Sequence, residues 1–178
     1  CILTLGNNAL LIYSKGEIFM PNKYLKPIYL RLFDEQFVYS KFAMRLKMQK
    51  GIYLLEELGV VVGDFAFSWY KHGPYSQSLQ DEMFSVDRLT CTPVHFSKFA
   101  NENMEKLHQC FSQQHTDYSD QYWVECLASI HFLRKNILPS SCSKANIIDK
   151  LNELKPHLSN NKLNNIAIDR IYAIYNFE

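Results

Sequence analysis

The chain has 178 residues, 47% of them hydrophobic and 14% aromatic, with a formal net charge of +1. That length supports one sizeable core, and the composition is that of a globular domain rather than a disordered segment. Near-neutral charge excludes a global basic field for nucleic acid and leaves only a local basic patch for that purpose. Five cysteines (Cys1, Cys91, Cys110, Cys126, Cys142) form no CxxC pair, which fits unpaired thiols in a reducing cytoplasm better than a disulfide framework. No apolar run approaches the roughly 20 residues that span a bilayer, so no membrane association is expected.

In chain order, residues 1–20 are apolar in patches, broken by Gly6-Asn7-Asn8, and lack both a basic start and a small-residue cleavage site. They read as a β-hairpin, an N-terminal extension or an added leader, before a start at Met20-Pro21-Asn22. Residues 21–178 read as a single domain, mainly α, with six or seven helices and a small β element.

Residues 22–35 predict a short helix, with Pro27 tolerated near its first turn. Over 39–58, Met44, Met48, Gly51, Ile52, Leu55 and Leu58 form one apolar stripe, and Phe42, Leu46 and Tyr53 form another. A helix apolar on two sides is central to its domain, and Gly59 is placed to stop it. Alternation over 65–71 predicts a strand, and Gly73-Pro74 turns the chain. Ser76 or Ser78 then caps a helix carrying Leu79, Met83 and Phe84.

Thr92-Pro93 predicts the start of a helix running to about Phe111. Asp117 or Ser119 opens the next, with Trp123, Cys126, Leu127, Ile130, Leu133 and Ile137 on one face and Pro139 at its end. Ser143 caps a helix closed by Pro156. A last helix carries Leu163, Ile166, Ala167, Ile171 and Ile174.

Chemistry-bearing patterns are sparse. Lys41, Arg45, Lys47 and Lys50 form a basic cluster that reads as a solvated helix flank, with phosphate contact as the alternative. His108, Cys110, His115 and Cys126 match no usual zinc spacing, so no metal site is expected. His72 reads as a turn or surface histidine, because no titratable partner adjoins it in sequence. An acid–base role would require a carboxylate to converge on it in the fold. Gln49 either faces solvent or is a buried amide that fixes a neighbouring loop by hydrogen bonds. No Walker loop, Rossmann glycine pattern or Gly-x-Ser-x-Gly elbow occurs, and no cofactor or catalytic residue is expected.

The segment Arg45-Leu-Lys-Met-Gln-Lys-Gly-Ile-Tyr-Leu-Leu-Glu-Glu-Leu-Gly59 resembles the KLQKLLYLL helix of the Panacea (SocA-like) antitoxin-associated domains and the related YwgA-like proteins. Phe67-Ser-Trp-Tyr-Lys-His-Gly-Pro-Tyr-Ser-Gln-Ser-Leu79 resembles their F-x-W-x-Y-G-P-Y-S-x-x-L segment. His72 stands where that family commonly has Tyr, and Gly51 replaces a bulky apolar residue. The two motifs cover about residues 45–80, and Leu154-Lys-Pro-His157 is similar to the YwgA-like tail.

The resemblance implies a compact, winged-helix-like domain that binds a protein partner, often a toxin, in bacterial or phage-linked defence and addiction modules. No enzymatic activity is implied. The partner-binding candidates are Trp69, His72, Tyr75, Lys47 and Lys50. The alternative is a winged-helix DNA binder reading with helix 76–87, which is acidic and therefore a poor groove reader. An enzyme is the third reading.

Overall fold

The computed structural model describes residues 22–90, 93–112 and 117–177. The segment expected to be an extension or leader, residues 1–20, lies outside the described residues. The described chain runs α1 (Leu25–Phe33), α2 (Phe42–Glu57), β1 (Ser68–Tyr70), β2 (Gly73–Tyr75), α3 (Gln77–Val86), α4 (Lys98–Phe111), α5 (Asp120–Phe132), α6 (Lys144–Leu154) and α7 (Asn161–Tyr175). It is the mainly helical single domain with a small β element that the sequence predicts. No helix among the described residues is long and apolar enough to cross a membrane.

Two helices form the centre. Every residue of α2 from Leu46 to Leu55 is buried, and so is every residue of α5 from Trp123 to Phe132. The two pack against each other, α7 and α6 cover α5, and α1 packs on α4. The double apolar stripe of 39–58 thus marks a central helix, as its pattern requires. Leu58 ends α2, and Gly59, at φ +84°, turns the chain out. Gly59 N–H donates to Glu56 O at 2.8 Å and Val60 N–H to Leu55 O at 3.3 Å, the paired closure of a Schellman motif.

The aromatic run keeps the predicted alternation. Phe65, Phe67 and Trp69 are half-buried against the core, while Ala66, Ser68 and Tyr70 face out. Only Ser68–Tyr70 pairs as strand, antiparallel to Gly73–Tyr75, with Trp69 opposite Pro74. Ser76 then caps α3, its hydroxyl accepting from Leu79 N–H at 3.4 Å.

One boundary differs from the sequence reading. The helix expected from Thr92-Pro93 starts at Lys98, capped by Ser97, whose hydroxyl accepts from Ala100 N–H at 3.1 Å. Residues 93–97 instead run outside regular structure, because Phe96 packs its ring on Tyr24 at 6.1 Å and its carbonyl accepts from Asn101 Nδ2 at 3.1 Å. Tertiary packing and a second cap overrule the Thr-Pro signal. The helix ended by Pro139 is also altered: α5 passes into a π-helical turn, Leu133–Ile137, closed by Leu138 N–H donating to Leu133 O at 2.8 Å.

Gly51 sets the spacing between α1 and α2. A Cβ there would lie 3.0 Å from Leu32 Cδ1 and 3.1 Å from Phe33 Cζ. α1 occupies the volume that a side chain at position 51 would need. Gly51→Leu is therefore expected to lower stability by roughly 1–3 kcal/mol through overpacking, although Leu is the better helix former. A lower urea midpoint at unchanged m-value checks this.

Candidate functional site

The site is built around Glu125, a residue the sequence reading passed over. It sits in the middle of α5 between Val124 and Cys126 and is 0% exposed. A carboxylate this deep must be paired and hydrogen-bonded. Three donors from two segments converge on it. His72 Nδ1, at the hairpin turn, lies 3.2 Å from Oε2. His157 Nε2 lies 3.0 Å and Lys155 Nζ 3.3 Å from Oε1.

His157 belongs to a short 3-10 turn, Pro156–Leu158, and Lys155 is the last residue before it. Pro156 stops α6 and turns both side chains back onto α5. His72 and His157 thus bridge the buried carboxylate to the surface, their side chains 32% and 36% exposed.

The lysines do structural work. Lys155, 1% exposed, donates to Lys71 O at 2.5 Å and holds its ammonium 4.9 Å from the Trp69 ring centroid. Lys50, 2% exposed, donates to Pro74 O at 2.6 Å. One ammonium therefore grips the carbonyl just before His72, and the other the carbonyl just after Gly73. Gln49 adds a reciprocal pair: its Nε2 donates to Ser76 O at 2.8 Å, and Ser76 N–H donates to its Oε1 at 2.9 Å. Of the two readings of Gln49, the buried loop-fixing amide is the one present.

Gly73 completes the clamp. It has φ +84°, and a Cβ would sit 2.5 Å from Ser129 Oγ. The hairpin can seat on α5 only where one partner is glycine and the other is small.

This geometry corrects the reading of the basic cluster. Lys47 and Lys50 are not a solvated flank, because α2 is buried on nearly all sides. Lys47 is 8% exposed, pairs with Glu35, and holds its ammonium 5.0 Å from the Phe33 ring. Lys50 lies beneath the hairpin and has no access to a partner.

Trp69 is half-buried, with its ring 5.8 Å from Phe132. Tyr75 is half-buried and donates to Gln77 Oε1 at 2.8 Å. The outward aromatic of the strand is Tyr70, 64% exposed, its ring 5.4 Å from that of Tyr75.

His72 is not alone either. The carboxylate required for an acid–base role does converge on it. The cysteine–histidine set considered from sequence does not converge among the described residues, where His115 is not included. His108 instead reaches Leu32 O at 3.2 Å, and the Cys126 thiol reaches Asn164 Oδ1 at 3.2 Å.

Around the two histidines runs a row of rings from four segments. Phe42 at the start of α2 stacks edge-on to His72 at 5.5 Å. His72 lies 6.1 Å from His157, and His157 lies 5.5 Å from Tyr122. Phe42 and Tyr122 are both exposed. Two surface hollows, of about 290 and 630 Å³, are lined by other residues, Glu56 and Lys135 in one and Arg31 and His95 in the other.

Burial pushes the Lys50 ammonium down to about 7, helped by Lys155 and opposed by Glu125. Burial likewise lowers Lys155, again opposed by Glu125. Comparison with protein-family models, curated proteins and solved structures found no match.

Two predictions follow from the clamp. Gln49→Leu leaves Ser76 N–H unpaired in the interior, while Ser76 O keeps the Gln80 N–H at 3.1 Å, so the cost should be roughly 1–3 kcal/mol and the urea midpoint should fall accordingly. The Lys50 prediction concerns pH. Its folded value is below its unfolded one, so between about 7 and 10.5 the unfolded chain binds more protons. Stability should then rise with pH across that window, and the contribution should be lost as pH falls toward 7. Lys50→Met should flatten this rise relative to wild type, read as urea midpoint against pH.

Proposed function

We propose that this chain is a non-catalytic protein-interaction module, antitoxin-like or an adaptor, acting in the cytoplasm of a bacterial or phage-linked defence or addiction system. The observation that carries the reading is the row Phe42–His72–His157–Tyr122, continued on the hairpin by Tyr70. Exposed aromatic rings with few rotatable bonds are the side chains that anchor protein interfaces. Here Tyr70 and His72 stand on a hairpin held at both ends of its turn by buried ammonium groups. A surface already rigid loses little entropy when a partner docks. The paired motifs at 45–59 and 67–79 support the antitoxin side of the proposal.

The convergence of His72 and Glu125 favours one other reading, an enzyme. Against it, both Glu125 oxygens already carry donors, and the carboxylate is sealed from solvent. A general base needs a free lone pair within reach of a substrate proton. For DNA binding, α3 offers Asp81 and the buried Glu82, and no Arg or Lys, over its whole length Gln77–Val86. That composition does not serve phosphate contact.

The test is affinity capture from the native host with three versions of the chain. Wild type and Lys98→Glu, at an exposed position of α4, should recover one protein in stoichiometric amount. Phe42→Ser/Tyr70→Ser should lose it, with binding weakened by about 2 kcal/mol or more. That protein should arrest growth when expressed alone and not when co-expressed with this chain. Capture of no partner, together with a salt-sensitive shift of DNA in a gel, would overturn the proposal.

A further inference from the structure

We propose that His72, Glu125 and His157 form a binding site for a divalent transition-metal ion of the zinc class. The three come from the hairpin turn, the centre of α5 and the 3-10 turn, and offer two imidazole nitrogens and one carboxylate oxygen within 4.8 Å of one another. Two histidines and one carboxylate are a ligand set that zinc and its first-row neighbours use.

The spacing fits. An ion about 2.0–2.1 Å from each ligand in a tetrahedron holds neighbouring ligand atoms roughly 3.3–3.4 Å apart. His72 Nδ1 lies 3.2 Å from Oε2 and His157 Nε2 lies 3.0 Å from Oε1, so each imidazole already stands at ligand–ligand spacing from the carboxylate oxygen nearer to it. A small rotation of the half-exposed imidazoles brings both onto one oxygen's side, because neither ring is locked in the interior.

Three further features match what a metal site needs. Access runs through the two histidines, which reach the surface and cover the buried carboxylate, so an ion enters as the imidazoles turn off it. The carboxylate is oriented by a second group, Lys155 on Oε1 at 3.3 Å, as ligating carboxylates are by outer partners. A position facing solvent is left free beside the aromatic row, for water or for a donor atom of a bound molecule. The ammonium groups of Lys155 and Lys50 oppose a dication, so binding should be looser than at a cysteine-rich structural site.

Coordination displaces a proton from His72 Nδ1 and from His157 Nε2 if these nitrogens carry one, and breaks their hydrogen bonds to Glu125. Affinity must therefore fall as the solution is made more acidic.

The experiment uses the full chain without a polyhistidine tag. Zn²⁺ is titrated against a chromophoric competing chelator, and Co²⁺ is followed by its visible spectrum. Wild type should hold one equivalent of Zn²⁺ more than His72→Ala/His157→Ala, which also subtracts any ion held by the cysteines. Each single histidine variant should lose more than the ~10–100-fold that removal of an outer partner costs. Co²⁺ should give the intense bands of a low-coordinate site in wild type only. Circular dichroism checks that the surface histidine variants are folded. Equal zinc uptake by wild type and double variant, or none by either, would overturn the proposal. Capture of a protein partner is a separate readout, so either reading can fail while the other stands.

Discussion

The arrangement of the candidate site depends on one buried carboxylate. Glu125 sits in the centre of the most enclosed helix, where an unpaired carboxylate is untenable. Pairing it draws in His72 from the hairpin turn, and Lys155 and His157 from the end of α6. His72 lies 53 residues from Glu125 along the chain, and His157 lies 32. The hairpin, the 3-10 turn and α5 are thereby fixed to one another at a single point.

Such a network is a poor way to gain stability. Replacing buried ion pairs by apolar residues of similar volume is often neutral or stabilising. Here burial lowers both lysines, which is a free-energy cost of keeping ammonium groups in the interior. What the arrangement does achieve is position. Lys155 and Lys50 bind Lys71 O and Pro74 O, the carbonyls flanking the turn, and Gln49 binds both polar groups of Ser76. A three-residue strand pair would not hold a conformation alone. Fastened in this way, it presents Tyr70 and His72 on a fixed base.

The fold was legible wherever a side-chain period repeats over several turns. The stripes of α2 and α5, the Gly59 stop, the Ser76 and Ser143 caps and the alternation of 65–71 are all local signals, and local contacts satisfy them. Thr92-Pro93 was a local signal of the same kind, yet Ser97 and the packing of Phe96 on Tyr24 prevailed.

The site was much less legible, because its contacts are long-range. Lys50 was grouped with Lys41 and Arg45 by proximity in sequence, although Lys41 and Lys50 have opposite environments. The long-range contacts leave one trace in the sequence: a single charged residue inside a mostly apolar stretch. Glu125 in Trp123–Phe132 and Lys50 in Met48–Leu55 are such positions, and each marks a partner elsewhere in the chain.

The Gly-Pro turn itself shows how the two levels join. Gly73 is required by its positive φ and by Ser129 beneath it, and Pro74 supplies a carbonyl to Lys50 without needing a ladder hydrogen bond of its own. Those two residues serve the fold. The residue before them, His72, is the one member of the turn that reaches both ways, to the buried carboxylate and to the exposed Phe42 ring. A tyrosine at this position, the residue common in the family the motif resembles, would present a phenol where His72 presents an imidazole nitrogen. It could still pack on Phe42, but it would not complete a nitrogen-and-carboxylate ligand set with His157 and Glu125. The surface row therefore depends on an aromatic ring at position 72, whereas metal binding depends on histidine in particular.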